Sequence, residues 1–250
     1  MQLFSRVVEG ADPYMVVQNY TRAASLPAKK AISTCAQIKI KTHPPNKNQE
    51  TKMAKLYFKY GAMGSSKTAQ ALITKFNYEE RGMSVWLIKP STDTREGGGI
   101  IRSRIGLEQK CDMIPSDTDI YDKYLLEHRG IDVIIADEGQ FFTPEQIDQM
   151  RAIVDEFDIP VMCFGLRTDF LTHLFPGSRR LFELADSITE IKTICSCGKK
   201  ASVNARIDQN GRVITSGDQI FIGGNDSYIA MCHKCWKQAI KNQNDSRDGD

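Results

Sequence analysis

The chain has 250 residues, 41% hydrophobic and 26% charged, enough for one sizeable core and a small satellite domain. No apolar run approaches the roughly 18 residues of a spanning helix, and residues 1–20 lack the basic-then-apolar order of a secretory signal, so a cytoplasmic setting is the expectation. A formal charge of only +2 carries no whole-chain signature of a nucleic-acid or membrane partner.

Charge is nevertheless uneven. Residues 1–52 hold eight Lys/Arg and three Asp/Glu, a net +5, show no sustained periodicity, and end in the polar, proline-bearing KTHPPNKNQETK. That composition predicts a disordered extension, read either as a leader upstream of the natural start at Met53 or as a basic targeting segment.

The stretch KLYFKYGAMGSSKT (55–68) follows. Leu56, Tyr57, Phe58 and Tyr60 read as a buried strand, Gly61 to Ser66 as a tight loop, and Ala69 to Phe76 as the opening of a helix. Backbone N–H groups at a helix N-terminus attract an anion, a lysine reaches the outer phosphates and a hydroxyl holds Mg²⁺; this is the phosphate-loop pattern GxxxxGK[ST]. Ser66 stands where the second glycine is expected, and its Cβ predicts a strained loop with weakened ATP binding. Small-residue loops before helices are common, so the downstream features decide.

Val85 to Ile88 is a second strand, and STDTREGGGIIRSRIG after it predicts a mobile loop. Cys111 to Ile114 reads as a short strand, Thr118 to Arg129 as a helix with Ile120, Tyr124 and Leu125 on one face, and Ile131 to Ala136 as a strand covered on both sides. Thr143-Pro144-Glu145-Gln146 is a capping box opening a helix to about Phe157. Pro160 to Gly165 is another buried strand, Gly177 to Ala185 a helix, and Ser187 to Ile194 a strand. This alternation predicts a parallel sheet flanked by helices, with ligands at the carboxyl ends of the strands.

Asp137 and Glu138 follow the strand 131–136. A carboxylate there, downstream of a phosphate loop, positions Mg²⁺, and two adjacent acids allow Asp137 to serve the metal while Glu138 accepts a substrate proton. The plain alternative is an acidic strand end that caps the next helix. Beyond Cys195 short strands and turns are expected. Val203 to Ile207 and Arg212 to Thr215 flank an Asn-Gly hairpin signal at 210–211, Gln219 to Ile222 and Tyr228 to Met231 continue the pattern, and the tail after about Asn242 is polar and frayed. Cys195-x-Cys197 and Cys232-x-x-Cys235 can meet as one tetrahedral zinc site, closed and therefore structural. Unrelated thiol pairs, or His233 replacing one cysteine, are the alternatives.

Six segments in order make the chain resemble the type II thymidine kinase family, of bacterial form: LYFKYGAMGSSKT, the 93–106 segment from DTR to SRIG, DEGQF (137–141), PVMCFGLRTDF (160–170), KTICSCGKKAS (192–202) and IGGNDSY (222–228). The resemblance implies transfer of the γ-phosphoryl group of ATP to the 5′-hydroxyl of deoxythymidine with Mg²⁺, in a cytoplasmic homotetramer inhibited by dTTP. It implies ATP binding by Gly61, Ala62, Met63, Gly64, Ser65, Ser66, Lys67, Thr68, Asp137 and Gln140, and Mg²⁺ support from Thr68, Asp93 and Asp137. Arg95 is implied near the phosphates, Glu138 as base, and Met63, Leu166, Phe170, Ile222 and Tyr228 around the nucleoside. The segment from about Asp208 to Tyr228 matches a lasso over the base, pinned at its foot by structural Zn²⁺. The expected architecture is thus α/β: a P-loop kinase domain over 53–191, a zinc-binding lasso domain over 192–241 and a flexible tail over 242–250. Two other readings compete, a P-loop ATPase with a nucleic-acid-binding zinc module and a degenerate kinase homologue that only binds nucleotide. The first is disfavoured because residues 195–235 hold no dense basic stripe.

Overall fold

A computed structural model describes residues 53–93, 98–220 and 227–245. The extension expected over 1–52, Arg95, Ile222 and the Gly223–Asp226 turn lie outside the described residues. Among those described, no helix is long and apolar enough to cross a membrane.

Six strands form the central sheet: β1 (Leu56–Tyr60), β2 (Val85–Pro90), β5 (Asp112–Ile114), β6 (Val133–Ala136), β7 (Val161–Gly165) and β8 (Ser187–Glu190). They run in the order β5-β2-β6-β7-β1-β8, and every pairing is parallel. Parallel strands need crossovers, supplied by α1 (Lys67–Glu79), α2 (Ile120–Glu127), α3 (Pro144–Phe157) and α4 (Pro176–Leu184). The period-2 alternation of a strand explains why the runs read as continuously apolar. On one face Phe58, Trp86, Ile88, Ile134 and Ala136 join Ile147, Met150 and Ile153 of α3. On the other, Leu87, Val133 and Ile135 meet Ala71 and Leu72 of α1. Full burial of each large apolar side chain is worth about 1.5–3 kcal/mol over exposure.

The predicted capping box forms: Gln146 N–H donates to Thr143 Oγ1, and Gln146 Oε1 accepts from Thr143 N–H, both at 3.2 Å. Helix α2 starts at its Asp119 cap, with Ile120 and Tyr124 buried as its periodicity requires.

Four expectations are corrected. Part of the stretch predicted to be a mobile loop is a hairpin, β3 (Ile100–Arg102) against β4 (Glu108–Lys110), closed by the three-residue turn Arg104-Ile105-Gly106 with Gly106 at φ 87°. Ile101 anchors it in the core beside Leu72, a long-range contact that so short an apolar pair could not announce. The strand expected over 187–194 breaks into β8 and β9 (Thr193–Ile194), the latter paired with β10 (Lys200–Ala201). The Asn-Gly turn closes only an isolated bridge, Ile207 with Val213, whereas β11 (Val203–Arg206) pairs antiparallel with β12 (Tyr228–Met231). Finally α5 (His233–Asp245) carries the chain past the point of expected fraying. Its apolar residues Trp236, Ala239 and Ile240 are only half-buried, and Gln243 ties it down by accepting from the Val213 N–H at 3.2 Å.

Gly177, in the first turn of α4, lets that helix seat on the 3₁₀ turn Gly139–Phe141 just beyond β6. A Cβ there would come within 2.5 Å of the Phe142 carbonyl oxygen and 2.8 Å of that of Gly139, both rigid backbone. Gly177→Ala is therefore expected to lower unfolding stability by about 1–3 kcal/mol, the usual cost of overpacking. An unchanged denaturant midpoint would show that α4 can shift freely.

Candidate active site

The parallel register sets the carboxyl ends of β1, β2, β6 and β7 side by side, so residues 61–66, 91–93, 137–140 and 166–170 converge. Gly61 N–H donates to the Gly165 carbonyl at 3.2 Å, and a Cβ on Gly61 would collide with the Ile191 carbonyl oxygen and the Ser65 hydroxyl. Lys67 arches back over the loop, its Nζ donating to the Ala62 carbonyl at 2.9 Å and to Ser65 Oγ at 3.3 Å. Ser66 caps α1 in the left-handed conformation, φ 61° and ψ 27°. The departure from glycine thus sits on a backbone geometry that favours glycine, as the sequence predicts.

Around this loop opens a cleft of about 470 Å³ lined by Gly64, Ser66, Lys67, Thr68, Asp93, Asp137 and Glu138, with residues 101–106 of the hairpin on its far wall. Asp137, 3% exposed, has its carboxyl pushed up to about 7 by burial and then by the neighbouring Glu138 charge. The Thr68 hydroxyl, the Glu138 backbone N–H and Lys67 act in the opposite direction. Asp93 is buried too, paired with Lys89 at 3.1 Å. Lys89 was missed in the sequence, although a lysine ending the apolar strand VWLIKP is itself a signal, since a buried cation needs a partner.

A second, smaller cavity adjoins the cleft, bounded by Gln140, Phe141, Thr168, Phe170, Phe175, Asn204 and Tyr228. Met63, Asp93, Glu138 and Leu166 line both spaces. Glu138 stands at φ 52°, left-handed, with its carboxylate accepting from the Gln140 side-chain amide at 2.6 Å. Gln140 borders the second cavity, and its Oε1 accepts the Leu166 N–H at 2.8 Å. It braces Glu138 against β7. Gly61, Ala62 and Ser65 shape the loop from behind.

Arg206 organises the outer wall, another residue to which the sequence reading assigned no role. Only 5% exposed, it lays its guanidinium 3.8 Å from the Phe170 ring centroid, donates to the Tyr228 hydroxyl at 3.0 Å, and donates to the Asp218 carbonyl at 3.0 Å. Gln219 is tied to the Asp169 carboxylate at 2.9 Å. One buried cation therefore supports both the aromatic wall and the 218–219 strap.

The thiols of Cys195, Cys197, Cys232 and Cys235 all lie within 4.8 Å of one another, and His233 is not in the cluster. Tetrahedral Zn–S bonds of about 2.3 Å imply S···S edges near 3.8 Å; Cys197 and Cys232 stand 3.7 Å apart. Backbone N–H bonds from Cys197 and Cys232 lower Cys195 to about 6, favouring thiolate. Bonding among the crowded sulfurs, with Cys232 first, pushes Cys235 up to about 12. The donor set and its spacing fit Zn²⁺ and leave no open coordination position.

A lysine-bearing phosphate loop, an acid pair ending the adjoining strand and a second cavity sharing that acid define a P-loop phosphotransferase of the α/β class. Comparison with known proteins is more specific. The thymidine kinase family model matches residues 54–236, and the chain belongs to that family. It is 44% identical over 191 residues to the thymidine kinase of Yersinia pseudotuberculosis, covering 76% of this chain and 97% of that one. It is likewise 44% identical over 190 residues to that of Vibrio cholerae (75% and 99% coverage), and over 189 residues to that of Legionella pneumophila (74% and 90%).

Two outcomes follow from this geometry. Because a left-handed non-glycine residue costs roughly 1–2 kcal/mol, Ser66→Gly is expected to raise unfolding stability by about 1 kcal/mol after glycine's own entropic penalty. A fall in the denaturant midpoint would show that the Ser66 side chain contributes more than its strain. Since structural zinc contributes on the order of 10 kcal/mol of folding free energy in small modules, Cys232→Ser should release bound metal and loosen residues 193–235 while β1 to β7 stay folded. Metal analysis finding no zinc in the parent protein would refute the assignment.

Proposed function

We propose that this chain transfers the γ-phosphoryl group of ATP to the 5′-hydroxyl of deoxythymidine. The observation that carries the reading is the place of Glu138. It borders both the phosphate cleft and the adjoining cavity, at the junction where a phosphoryl group and an accepting hydroxyl must meet. Phosphoryl transfer asks little covalent chemistry of a protein; it needs positioning and charge neutralisation.

In this reading the backbone N–H groups of residues 64–68 and the Lys67 ammonium hold the β- and γ-phosphates. Thr68, Asp93 and Asp137 form an oxygen donor set of the kind Mg²⁺ takes, with the Thr68 hydroxyl already bonded to Asp137. Bound there, Mg²⁺ supplies charge neutralisation to the phosphate oxygens. Met63, Leu166, Phe170 and Tyr228 enclose the nucleoside, joined by Ile222. Glu138, oriented by the Gln140 amide, takes the 5′-hydroxyl proton as the oxygen attacks the γ-phosphorus. The bond from that phosphorus to the β–γ bridging oxygen breaks, and ADP leaves. Arg95 acts beside the phosphates. The division into a kinase domain to residue 191 and a zinc-binding lasso domain beyond it belongs to the same proposal. So do a cytoplasmic location, a homotetramer and feedback inhibition by dTTP, which rest on the family resemblance alone.

Glu138→Gln keeps shape and removes basicity, so turnover with ATP and thymidine should fall by about 10²–10⁴-fold while thymidine still binds. A coupled ADP-release assay reads the rate and calorimetry the binding. Turnover within a few-fold of the parent removes Glu138 from the role of base.

A further inference from the structure

Asn204 lies on β11, in the cysteine-bearing part of the chain, and is only 3% exposed. Both ends of its side-chain amide are engaged. Oδ1 accepts the Met63 N–H of the phosphate loop at 2.8 Å, and Nδ2 donates to the Thr168 carbonyl at 2.9 Å. These partners lie 141 and 36 positions away in sequence and belong to the two loops that face the two cavities. Thr168 is bridged to Leu174 and precedes Asp169, whose carboxylate accepts the Leu171 and His173 N–H groups, so the loop carrying Phe170 moves as one braced piece. The Thr193 hydroxyl makes a second, longer link from the same part of the chain, donating to the Gly64 carbonyl at 3.4 Å.

We propose that Asn204 is a positioning residue that couples the phosphate loop to the nucleoside loop, so that the phosphate donor and the nucleoside bind interdependently. It borders the nucleoside cavity, and one acceptor site and one donor of its amide are committed to the two backbones. The chemistry requires this side chain: a carboxamide of this length presents a donor and an acceptor together, whereas aspartate offers acceptors only and would set oxygen against the Thr168 carbonyl. The bond to Thr168 is buried and that from Met63 part-buried, so leaving Thr168 C=O or Met63 N–H without a partner costs more than losing an exposed bond would. A shift of the phosphate loop on binding ATP is therefore transmitted to Thr168 and the wall around Phe170. Loop order imposed by the nucleoside is returned by the same bonds, as linkage demands.

The inference rests on the kinase reading above, and the experiment separates the two. Thymidine affinity of the full chain is measured by calorimetry with and without a saturating ATP analogue whose β–γ link cannot be hydrolysed, and turnover with ATP is assayed on the same protein. The parent is expected to bind thymidine at least about 5-fold more tightly with the analogue, the lower end of ordinary coupling between sites. Asn204→Asp, which keeps the volume and loses the donor, and Asn204→Leu, which loses both bonds, should abolish that difference. Retention of the zinc and of the circular-dichroism spectrum marks each variant as folded. A purely structural role would lower the melting temperature and leave the coupling intact, which would overturn the proposal. A parent that turns over but shows no coupling also overturns it, whether or not the variants fold. A parent with no turnover at all refutes the kinase reading instead.

Discussion

The phosphate loop is wedged between the ends of two strands, β7 and β8, and this is possible only because residue 61 has no side chain. Gly61 donates to Gly165 on one flank and lies under the Ile191 carbonyl on the other, where any Cβ would overlap backbone. From that fixed point the chain turns through left-handed Gly64 and Ser66 into α1, which brings Lys67 back across the loop and Thr68 against Asp137. Moving Gly61 outward by even a fraction of an ångström would carry the lysine, the hydroxyl and the first-turn N–H groups with it.

The same economy of volume governs the acid pair. Asp137 closes β6 by donating its N–H to the Ile88 carbonyl, and the next residue, Glu138, turns left-handed. Gly139, Gly165 and Gly177 then let the 3₁₀ turn, β7 and α4 approach so closely that the Gln140 side chain is trapped between Glu138 and Leu166. A left-handed glutamate is costly, and the packing around it supplies the compensation. The consequence is a carboxylate held at the boundary of two cavities with its direction set by a buried amide.

A four-cysteine module beside a kinase core has a mechanical reason in this arrangement. Cys195 and Cys232 anchor the ends of the segment that carries β11, the 208–220 strap and β12. Arg206 and Asn204 sit on β11, facing the aromatic wall and the phosphate loop respectively. A structural metal site at that foot gives a segment with little apolar burial of its own a defined position, which hydrophobic packing alone would not provide.

Much of the core and of the chemistry was legible without coordinates. The alternating strands and helices, the TPEQ cap, the loop before Lys67, the acids at 137 and 138 and the paired cysteines are local signals. Each depends on residues within one turn, one strand or one knuckle, and short-range physics writes those directly into the chain. The structure alone decided what depends on contacts between distant segments. Ile100–Lys110 became a hairpin because Ile101 found the core beside α1; β11 chose β12 over its sequence neighbour; α5, with only a half-buried face, was tied down by Gln243. Likewise Gln140 became a brace, Lys89 a buried partner of Asp93, and Asn204 and Arg206 the ties between loops. A polar side chain carries no periodic mark of its partner, so its role appears only when the fold brings a distant donor or acceptor within about 3 Å of it.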